Sequence, residues 1–429
     1  MYDFSIIIAR VLVEFFPWLK FAKSIVHQTI QEVPEGLKSR NTVIPLPILH
    51  NNEQKYAEVI DVLDSYQELC EAVYESAEKP LPKIHIGGDQ LTSERFSGAK
   101  RLRAAALTAT ELKTLEPITF ELFRLQMTVL TAFYQLLYDT EKSEVFTLHN
   151  QKVFPMRKDA EGNDVKNHYD SCRELATSVI KAYIIEAACE HFGLPDAGYV
   201  PENIPDHQNM STEEIRLWLV SQINPIITSI CSISRGIMTR NDIQVNNTDD
   251  INSYGNVLIE VGLVFMELAD IVETPNRERL LLLMKYLMLI LKGHNTNSKY
   301  ALELLRFLSQ QLALPSQQDA HEVVYGLFVN TGNTIIPSDL QMEHLVRLTK
   351  EVFDTETSRI KRSQKHRRLS SIEDEKKILK DLRVIRPLLK TAVRQANSLK
   401  RRPKHPVAKL NIVDFIKWIE KNKLKFYYE

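Results

Sequence analysis

The sequence has little glycine and no paired cysteines. It contains 13 glycines in 429 residues, about half of the ~7% found in typical proteins, and this scarcity favours helix. No two cysteines form a Cys-x-x-Cys pair, which excludes zinc ribbons and dithiol redox motifs. The four cysteines are Cys70, Cys172, Cys189 and Cys231. We expect them to be reduced, mostly buried thiols of an intracellular protein.

The sequence also lacks a hydrophobic run long enough to cross a membrane. Its most apolar run, Leu280–Leu291, has twelve residues and includes Lys285, whereas a membrane-spanning helix needs about 20 residues. The apolar segment Ser5–Phe16 contains Arg10 and Glu14, and no basic stretch precedes it, so it is not typical of a signal peptide. We therefore expect buried helices here and no membrane partner.

The net charge is only −1, but the charged residues are segregated along the chain. Residues 355–409 contain 18 Lys and Arg against five Asp and Glu, a net charge of +13, which leaves −14 on the rest of the chain. The nearly neutral total therefore describes an acidic body joined to a basic region. This segregation restores nucleic acid as a candidate partner.

Clusters of basic residues inside this region are typical of nucleic-acid patches or nuclear-localisation signals. No aromatic residue lies between 355 and 409, so base stacking and sequence-specific reading are not predicted. A solvated surface without a partner is the alternative. The candidate phosphate-binding residues are Lys361, Arg362, Arg367, Arg368, Lys400, Arg401, Arg402 and Lys404.

Apolar periodicity predicts a mainly helical fold with a small α/β part. Within 117–138 the apolar residues cover most of a helix surface, and a further helix is capped by Asn51 or Asn52. A short strand is predicted at Lys83–Ile86, and an edge strand or extended segment is predicted at Val43–Leu49, which two prolines interrupt. Helices without an intervening strand are expected at 169–192, 211–235, 251–273, 276–292 and 298–313.

Breaks in these patterns divide the chain into four predicted segments. Residues 1–140 form the α/β part, 141–315 an all-helical block, 316–355 a helix with its preceding turn, and 356–429 the basic C-terminal region. No repeat of 20–50 residues is apparent.

The sharpest local feature is the loop Gly87-Gly88-Asp89, which follows a short β-branched run. A carboxylate at the end of a strand is a common ligand of Mg²⁺, which needs two or three such oxygen ligands. Glu343 could complete the site, and Asp339 lies four residues earlier on the same helix face. The alternatives are that Asp89 caps the helix that follows it, that Asp339 or Ser338 caps a helix that runs to about Phe353, and that Glu343 is solvated. His85 is expected to be a hydrogen-bonded structural residue.

Several segments together resemble an uncharacterised family, the domain-of-unknown-function 6589 family. They are VIPLPILHNNEQKYAEVIDVLD (43–64), KIHIGGDQLTSERFSGAKRLR (83–103), PITFELFRLQMTVL (117–130), KYALELLRFLSQQLAL (299–314) and IIPSDLQMEHLVRLTKE (335–351). The resemblance runs from about residue 40 to 390. It implies a mobile-element association and a degenerate ribonuclease-H-like core, interrupted by a helical insertion at 169–313. In that core, Asp89 would be a strand-end metal ligand and Glu343 a late acid.

The chain departs from the pattern that the resemblance implies. Arg124 stands where a family histidine is expected, and no acidic strand precedes residue 43. The stretch after Lys350 is also shortened. These departures favour a mobile-element-derived protein without catalysis and without a cofactor, which binds DNA or RNA weakly through its basic region.

Two other functions remain open. One is a nuclease or strand-transfer enzyme that uses Mg²⁺ or Mn²⁺ on Asp89 and Glu343. The other is a helical scaffold for protein partners, with the basic region as a nuclear address.

Overall fold

The computed structural model describes residues 2–28, 33–43, 49, 51–104, 112–141, 147–153, 155–162, 164–238, 250–293, 298–314 and 316–353. The described residues fall into two compact units. Unit 1 takes its described residues from 1–31 and 127–269, and unit 2 from 32–126 and 270–364.

Helices dominate both units, and all the described strands are three residues long. The helices are α1 (Tyr2–Phe15), α2 (Lys23–Gln28), α3 (Tyr56–Ser76), α4 (Gln90–Arg103), α5 (Leu122–Leu137), α6 (Leu148–Gln151), α7 (Tyr169–Phe192), α8 (Thr212–Met238), α9 (Asp250–Glu273), α10 (Arg277–Gly293), α11 (Ser298–Ala313), α12 (Gln317–Tyr325) and α13 (Ser338–Phe353). The strands are β1 (Ile86–Gly88), β2 (Ile118–Phe120), β3 (Phe328–Asn330) and β4 (Ile335–Pro337). The predicted mainly α fold with a small α/β part is therefore confirmed.

The predicted helical block between 169 and 313 is also confirmed by α7 to α11, with each end within three residues of the prediction. The end of α7 shows why such boundaries can be read from sequence. Gly193 adopts a left-handed backbone with φ of +66°, which few other residues tolerate. The N–H of Leu194 then donates to the carbonyl of Cys189 at 2.8 Å, which closes the last turn.

The core of unit 1 is built around α7, in which twelve residues are buried. One polar contact in this core is the hydrogen bond that the hydroxyl of Tyr134 donates to the carbonyl of Cys172 at 2.9 Å. Cys172 and Cys189 are buried free thiols, and Cys70 in unit 2 is half-buried. Burial raises the pKa of the Cys172 thiol to about 12, so this thiol stays protonated and unreactive.

In unit 2, strand β1 pairs with β2 in parallel, and Ile86 lies opposite Ile118. Helices α3 and α4 cover this pair, and their apolar residues form one buried cluster with the strand. This cluster comprises Val59, Leu63, Phe96, Ala99, Leu112, Leu115 and Ile118.

The second sheet is the antiparallel hairpin of β3 and β4, which leads directly into α13.

Local details differ from the sequence predictions in two places. Helix α3 begins at Tyr56 with Lys55 at its N-cap, because the side chain of Asn52 instead accepts the N–H of Gln54 at 2.9 Å. Strand β1 begins at Ile86, whereas the apolar run predicts Lys83–Ile86. Most of the predicted strand at Val43–Leu49 lies outside the described residues.

Within the described part of the chain, no helix is both long and apolar enough to cross a membrane. The division of the chain into four segments stays a prediction.

The core cluster gives a direct test with a matched control on one helix. Leu63 is fully buried on α3, and Leu69 on the same helix is 38% exposed. We expect Leu63→Ala to lower the free energy of unfolding by about 2–5 kcal/mol, since it leaves a cavity, and Leu69→Ala by less than about 1 kcal/mol. Urea unfolding followed by circular dichroism measures both. Equal losses would show that α3 does not pack as described.

Candidate functional site

The parallel pairing of β1 and β2 brings two acidic residues to one edge of the sheet. Gly88 is opposite Phe120 at the last pair of the ladder, so the next residues, Asp89 and Glu121, follow the two strands on the same side. In α/β proteins, ligands bind at the carboxyl ends of parallel strands. This edge is therefore where a functional site is expected in unit 2.

Asp89 caps the helix that follows it. Its backbone is extended, and its carboxylate accepts the N–H of Thr92 at 2.8 Å, in the first turn of α4. A carboxylate in this position satisfies a free helix N–H and interacts favourably with the helix dipole. Of the two roles considered for Asp89, the helix cap is the one that matches its contact in the structure.

Glu121 is the site residue that sequence reasoning missed. It directly follows β2 and is only 7% exposed, and the Ser338 hydroxyl donates to its Oε2 at 2.6 Å. Its Oε1 would lie 1.4 Å from a Cβ on Gly87, so any side chain at position 87 would collide with it. The available signal was a lone acid directly after the β-branched and aromatic residues Ile118–Phe120.

Burial is the main influence on the Glu121 carboxyl. Burial and, to a smaller extent, the negative charge of Asp339 raise the pKa of Glu121, the Ser338 hydrogen bond lowers it, and the net pKa is about 8. Near neutral pH this carboxyl is therefore mostly protonated.

Asp339 caps a different helix from the one that its sequence position suggests. Its carboxylate accepts the N–H groups of Phe123 at 3.0 Å and Arg124 at 2.9 Å, both in the first turn of α5. A third N–H, that of Leu340, lies 3.1 Å away. Burial raises the pKa of Asp339, while these N–H groups lower it. Three donors fill three of the roughly four acceptor positions of a carboxylate.

Glu343 is one turn further along α13 and forms an ion pair with the guanidinium of Arg124. Asp339 and Glu343 thus both contact the first turn of α5, one through the backbone and the other through a side chain. The structure brings these two predicted residues together at α5, and places Asp89 on α4.

His85, which precedes β1, is hydrogen-bonded as expected. Its Nε2 lies 2.5 Å from the hydroxyl oxygen of Thr119 on the neighbouring strand. Burial lowers the pKa of His85 to about 4, so the ring is neutral near pH 7. Gly326 packs against the ring, since a Cβ there would lie 2.8 Å from its Nδ1.

No three His, Cys, Asp or Glu residues in the described part of the chain are arranged to hold a metal ion. Asp89, Asp339 and Glu343 each contact a protein donor instead. Their metal-binding and catalytic roles stay predictions. The eight candidate phosphate-binding residues, from Lys361 to Lys404, lie outside the described residues.

The family model described as a family of unknown function, DUF6589, matches residues 3–374. The chain belongs to this family. The match includes the strand edge with Asp89 and Glu121 and the whole of α13. Searches of curated proteins and of solved structures gave no match. DUF6589 membership confirms the resemblance seen in the quoted segments, and it brings no activity with it.

The raised pKa of Glu121 predicts a pH-dependent stability. The folded state keeps the Glu121 proton up to about pH 8, while the ordinary value is 4.5, so the unfolded state binds fewer protons between these values. The free energy of unfolding then falls with rising pH, by at most about 1.4 kcal/mol per pH unit from this group. The side chain of Glu121→Gln cannot ionise. The free energy of unfolding of this variant should therefore fall less steeply than that of the unsubstituted protein between about pH 6.5 and 8.

The control for this measurement is Glu58→Gln. Hydrogen bonds from the Lys55 side chain and the Asn52 backbone hold the pKa of Glu58 below its ordinary value, so it is ionised throughout the interval in both states. Urea unfolding at a series of pH values gives the slope of the free energy of unfolding against pH. For Glu58→Gln this slope should match that of the unsubstituted protein. If Glu121→Gln also shows the slope of the unsubstituted protein, the Glu121 carboxyl is not buried and protonated as described. His85 makes the opposite contribution to the pH dependence of the free energy of unfolding, between its folded pKa of about 4 and its ordinary pKa of 6.5. The chosen pH interval lies above that range.

Proposed function

We propose that the chain is a mobile-element-derived, non-catalytic protein that binds DNA or RNA without sequence specificity. The observation that carries this proposal is the charge segregation, with +13 on residues 355–409 and −14 on the rest of the chain. Phosphate contacts of Lys and Arg release condensed counterions and supply most of non-specific nucleic-acid binding. The absence of aromatic residues from this region favours backbone contacts over base stacking.

The contacts of the candidate acids support the non-catalytic part of the proposal. A metal-dependent nuclease needs carboxylate oxygens that are free to bind cations. Here Asp339 accepts three N–H groups, Glu343 is paired with Arg124, and Asp89 caps α4. Arg124 stands where the resemblance implies a histidine, so the residue that departs from the pattern is the one that neutralises Glu343.

We propose that the same basic clusters also serve as a nuclear-localisation signal. Lys400-Arg401-Arg402 and Lys404 form the densest cluster, and such clusters serve as localisation signals.

The test is the salt dependence of binding to a fluorescent random-sequence duplex. The logarithm of the association constant should fall steeply with the logarithm of salt concentration, by about 0.9 for each phosphate contact. Replacing Lys400, Arg401, Arg402 and Lys404 together with Ala should reduce the slope by up to about 3.6 and leave circular dichroism unchanged. Fluorescence anisotropy between about 0.05 and 0.2 M salt measures both.

The matched control removes the same number of charges from the body of the protein. Lys20, Lys23, Lys79 and Lys299 are exposed in the structure, and their joint replacement with Ala should leave the slope unchanged. Binding that is independent of salt, or no binding at low salt, would refute the proposal.

One observation favours the enzyme as a second candidate. Glu121 supplies a further carboxyl at the strand edge that holds Asp89, and a divalent cation could replace its proton. A metal-dependent nuclease or transposase-like enzyme would then use Asp89 and Glu121, with Glu343 released from Arg124. Its ribonuclease-H-like core would have to be degenerate, since the described sheets have two strands each.

Nicking of supercoiled plasmid in millimolar Mg²⁺ or Mn²⁺ separates the two candidates. Under the non-catalytic proposal, the unsubstituted protein, Asp89→Asn and Glu121→Gln should all leave the plasmid intact. Nicking that is lost in both variants and retained in the exposed control Asp61→Asn would instead establish the enzyme.

A further inference from the structure

The exposed surface of α3 in unit 2 carries a line of acidic residues. Helix α3 has six acidic residues and no Lys or Arg. Five of the acids follow one another at intervals of three or four residues, which places them along one side of the helix. Four of the five are exposed, and the other, Asp64, is half-buried. We call this set the acidic stripe, and it comprises Asp61, Asp64, Glu68, Glu71 and Glu75.

The described contacts offset only part of the repulsion within the acidic stripe. The guanidinium of Arg103 pairs with Asp64 at 2.6 Å, and the side-chain amide of Gln67 donates to Glu71 at 2.8 Å. Like charges three or four residues apart destabilise a helix, and so do acids beside the partial negative charge of its C-terminus. Helix α3 ends one residue after Glu75 and has no basic residue in its last turn. Cations from outside the helix would therefore relieve both effects.

Apolar side chains lie on the same exposed surface, beside the acidic stripe. Leu69 is 38% exposed and Val73, one turn further along α3, is 54% exposed. Because an α-helix has 3.6 residues per turn, Ser65 and Ala72 lie between these two residues and the acidic stripe. The exposed surface of α3 is therefore acidic along one side and apolar along the other. It fits a segment that presents both basic and apolar side chains.

A segment of the same chain, outside the described residues, has the complementary pattern. Residues 376–386 (KKILKDLRVIR) contain five Lys and Arg and one Asp, a net charge of +4. The apolar residues Ile378, Leu382 and Ile385 recur at i, i+4 and i+7, which is the spacing of one helix face. The densest basic cluster, Lys400–Lys404, contains no such apolar residue. Residues 376–386 are therefore the better match to a surface that is both acidic and apolar.

The chain is long enough to bring this segment back to α3. Helix α13 ends at Phe353 in unit 2, and residues 354–375 separate it from the segment. An extended chain of that length spans up to about 70 Å, whereas a small domain is about 30 Å across. A short linker also keeps the effective concentration of a tethered segment in the millimolar range, so that weak contacts suffice for docking.

We propose that residues 376–386 dock on the exposed surface of α3 and thereby withhold part of the basic region from nucleic acid. The Lys and Arg residues of the segment pair with the acidic stripe, and its apolar residues cover Leu69 and Val73. Nucleic acid and α3 then compete for the same cations, so the apparent affinity for nucleic acid is reduced by the fraction of released segment. This effect on binding rests on the proposed function, whereas the docking itself does not.

Hydrogen–deuterium exchange of the full chain, without nucleic acid, tests the docking. The amides of residues 376–386 should be protected in the unsubstituted protein and lose this protection in Glu68→Lys with Glu75→Lys, which reverses two charges of the acidic stripe. Adding Lys380→Glu and Arg383→Glu to this variant should restore the protection, because opposite charges then face each other again. A variant that had merely lost its fold would not regain protection in this way.

The matched control is Glu202→Lys with Glu273→Lys. Both residues are exposed acids outside α3, so the net charge changes equally while the acidic stripe stays intact, and the exchange of residues 376–386 should not change. The two variants of equal net charge are then compared in duplex binding. Glu68→Lys with Glu75→Lys should bind the fluorescent duplex at least about fivefold more tightly than the control, because its basic segment is released.

The outcomes separate this inference from the proposed function. If residues 376–386 exchange equally fast in the unsubstituted protein and in the Glu68/Glu75 variant, the docking is refuted, and steeply salt-dependent duplex binding would still support the proposed function. If the segment is protected but no variant binds the duplex, the docking stands and the proposed function fails. Protection that is lost on dilution would assign the segment to a second copy of the chain and would overturn docking within one chain. Protection of α3 without protection of residues 376–386 would overturn it as well.

Discussion

The capping of α5 by Asp339 is the interaction on which the rest of the strand-edge site depends. Two N–H groups of a buried helix start have no partner within their own helix, and the Asp339 carboxylate accepts both. This fixes the beginning of α13 against the beginning of α5. Ser338 is then held next to Glu121, and Glu343 is held one turn further on, next to Arg124.

This arrangement determines the charge state of the site. The N–H groups of α5 stabilise the negative charge of Asp339, and that charge in turn disfavours ionisation of the buried Glu121. Burial raises the pKa of both acids. At Asp339 the N–H groups of α5 partly offset the effect of burial, whereas at Glu121 the Ser338 hydrogen bond is the opposing contact and the pKa is about 8. The glycine at position 87 is needed because its missing side chain leaves the space that the Glu121 carboxyl fills.

Local patterns predicted most of the fold and little of the site. The helices from α7 to α11 follow apolar periodicity and turn residues, which are encoded within each segment. Asp89 is likewise a local cap. Asp339 caps a helix 216 residues away in sequence, and no spacing rule reports a contact of that range. Glu121 was missed for the same reason, since its burial depends on β1 and on α13.

Arg124 offsets part of the negative charge that α13 brings to the site. Without a cation at this position, the half-exposed Glu343 carboxylate would lie one turn from Asp339 on the same face, and the two like charges would destabilise the helix slightly. The arginine neutralises one of them from α5. A histidine at this position would offer a charge that is largely lost at neutral pH. Arg124 therefore supplies a permanent cation at this position, which stabilises the contact between α5 and α13.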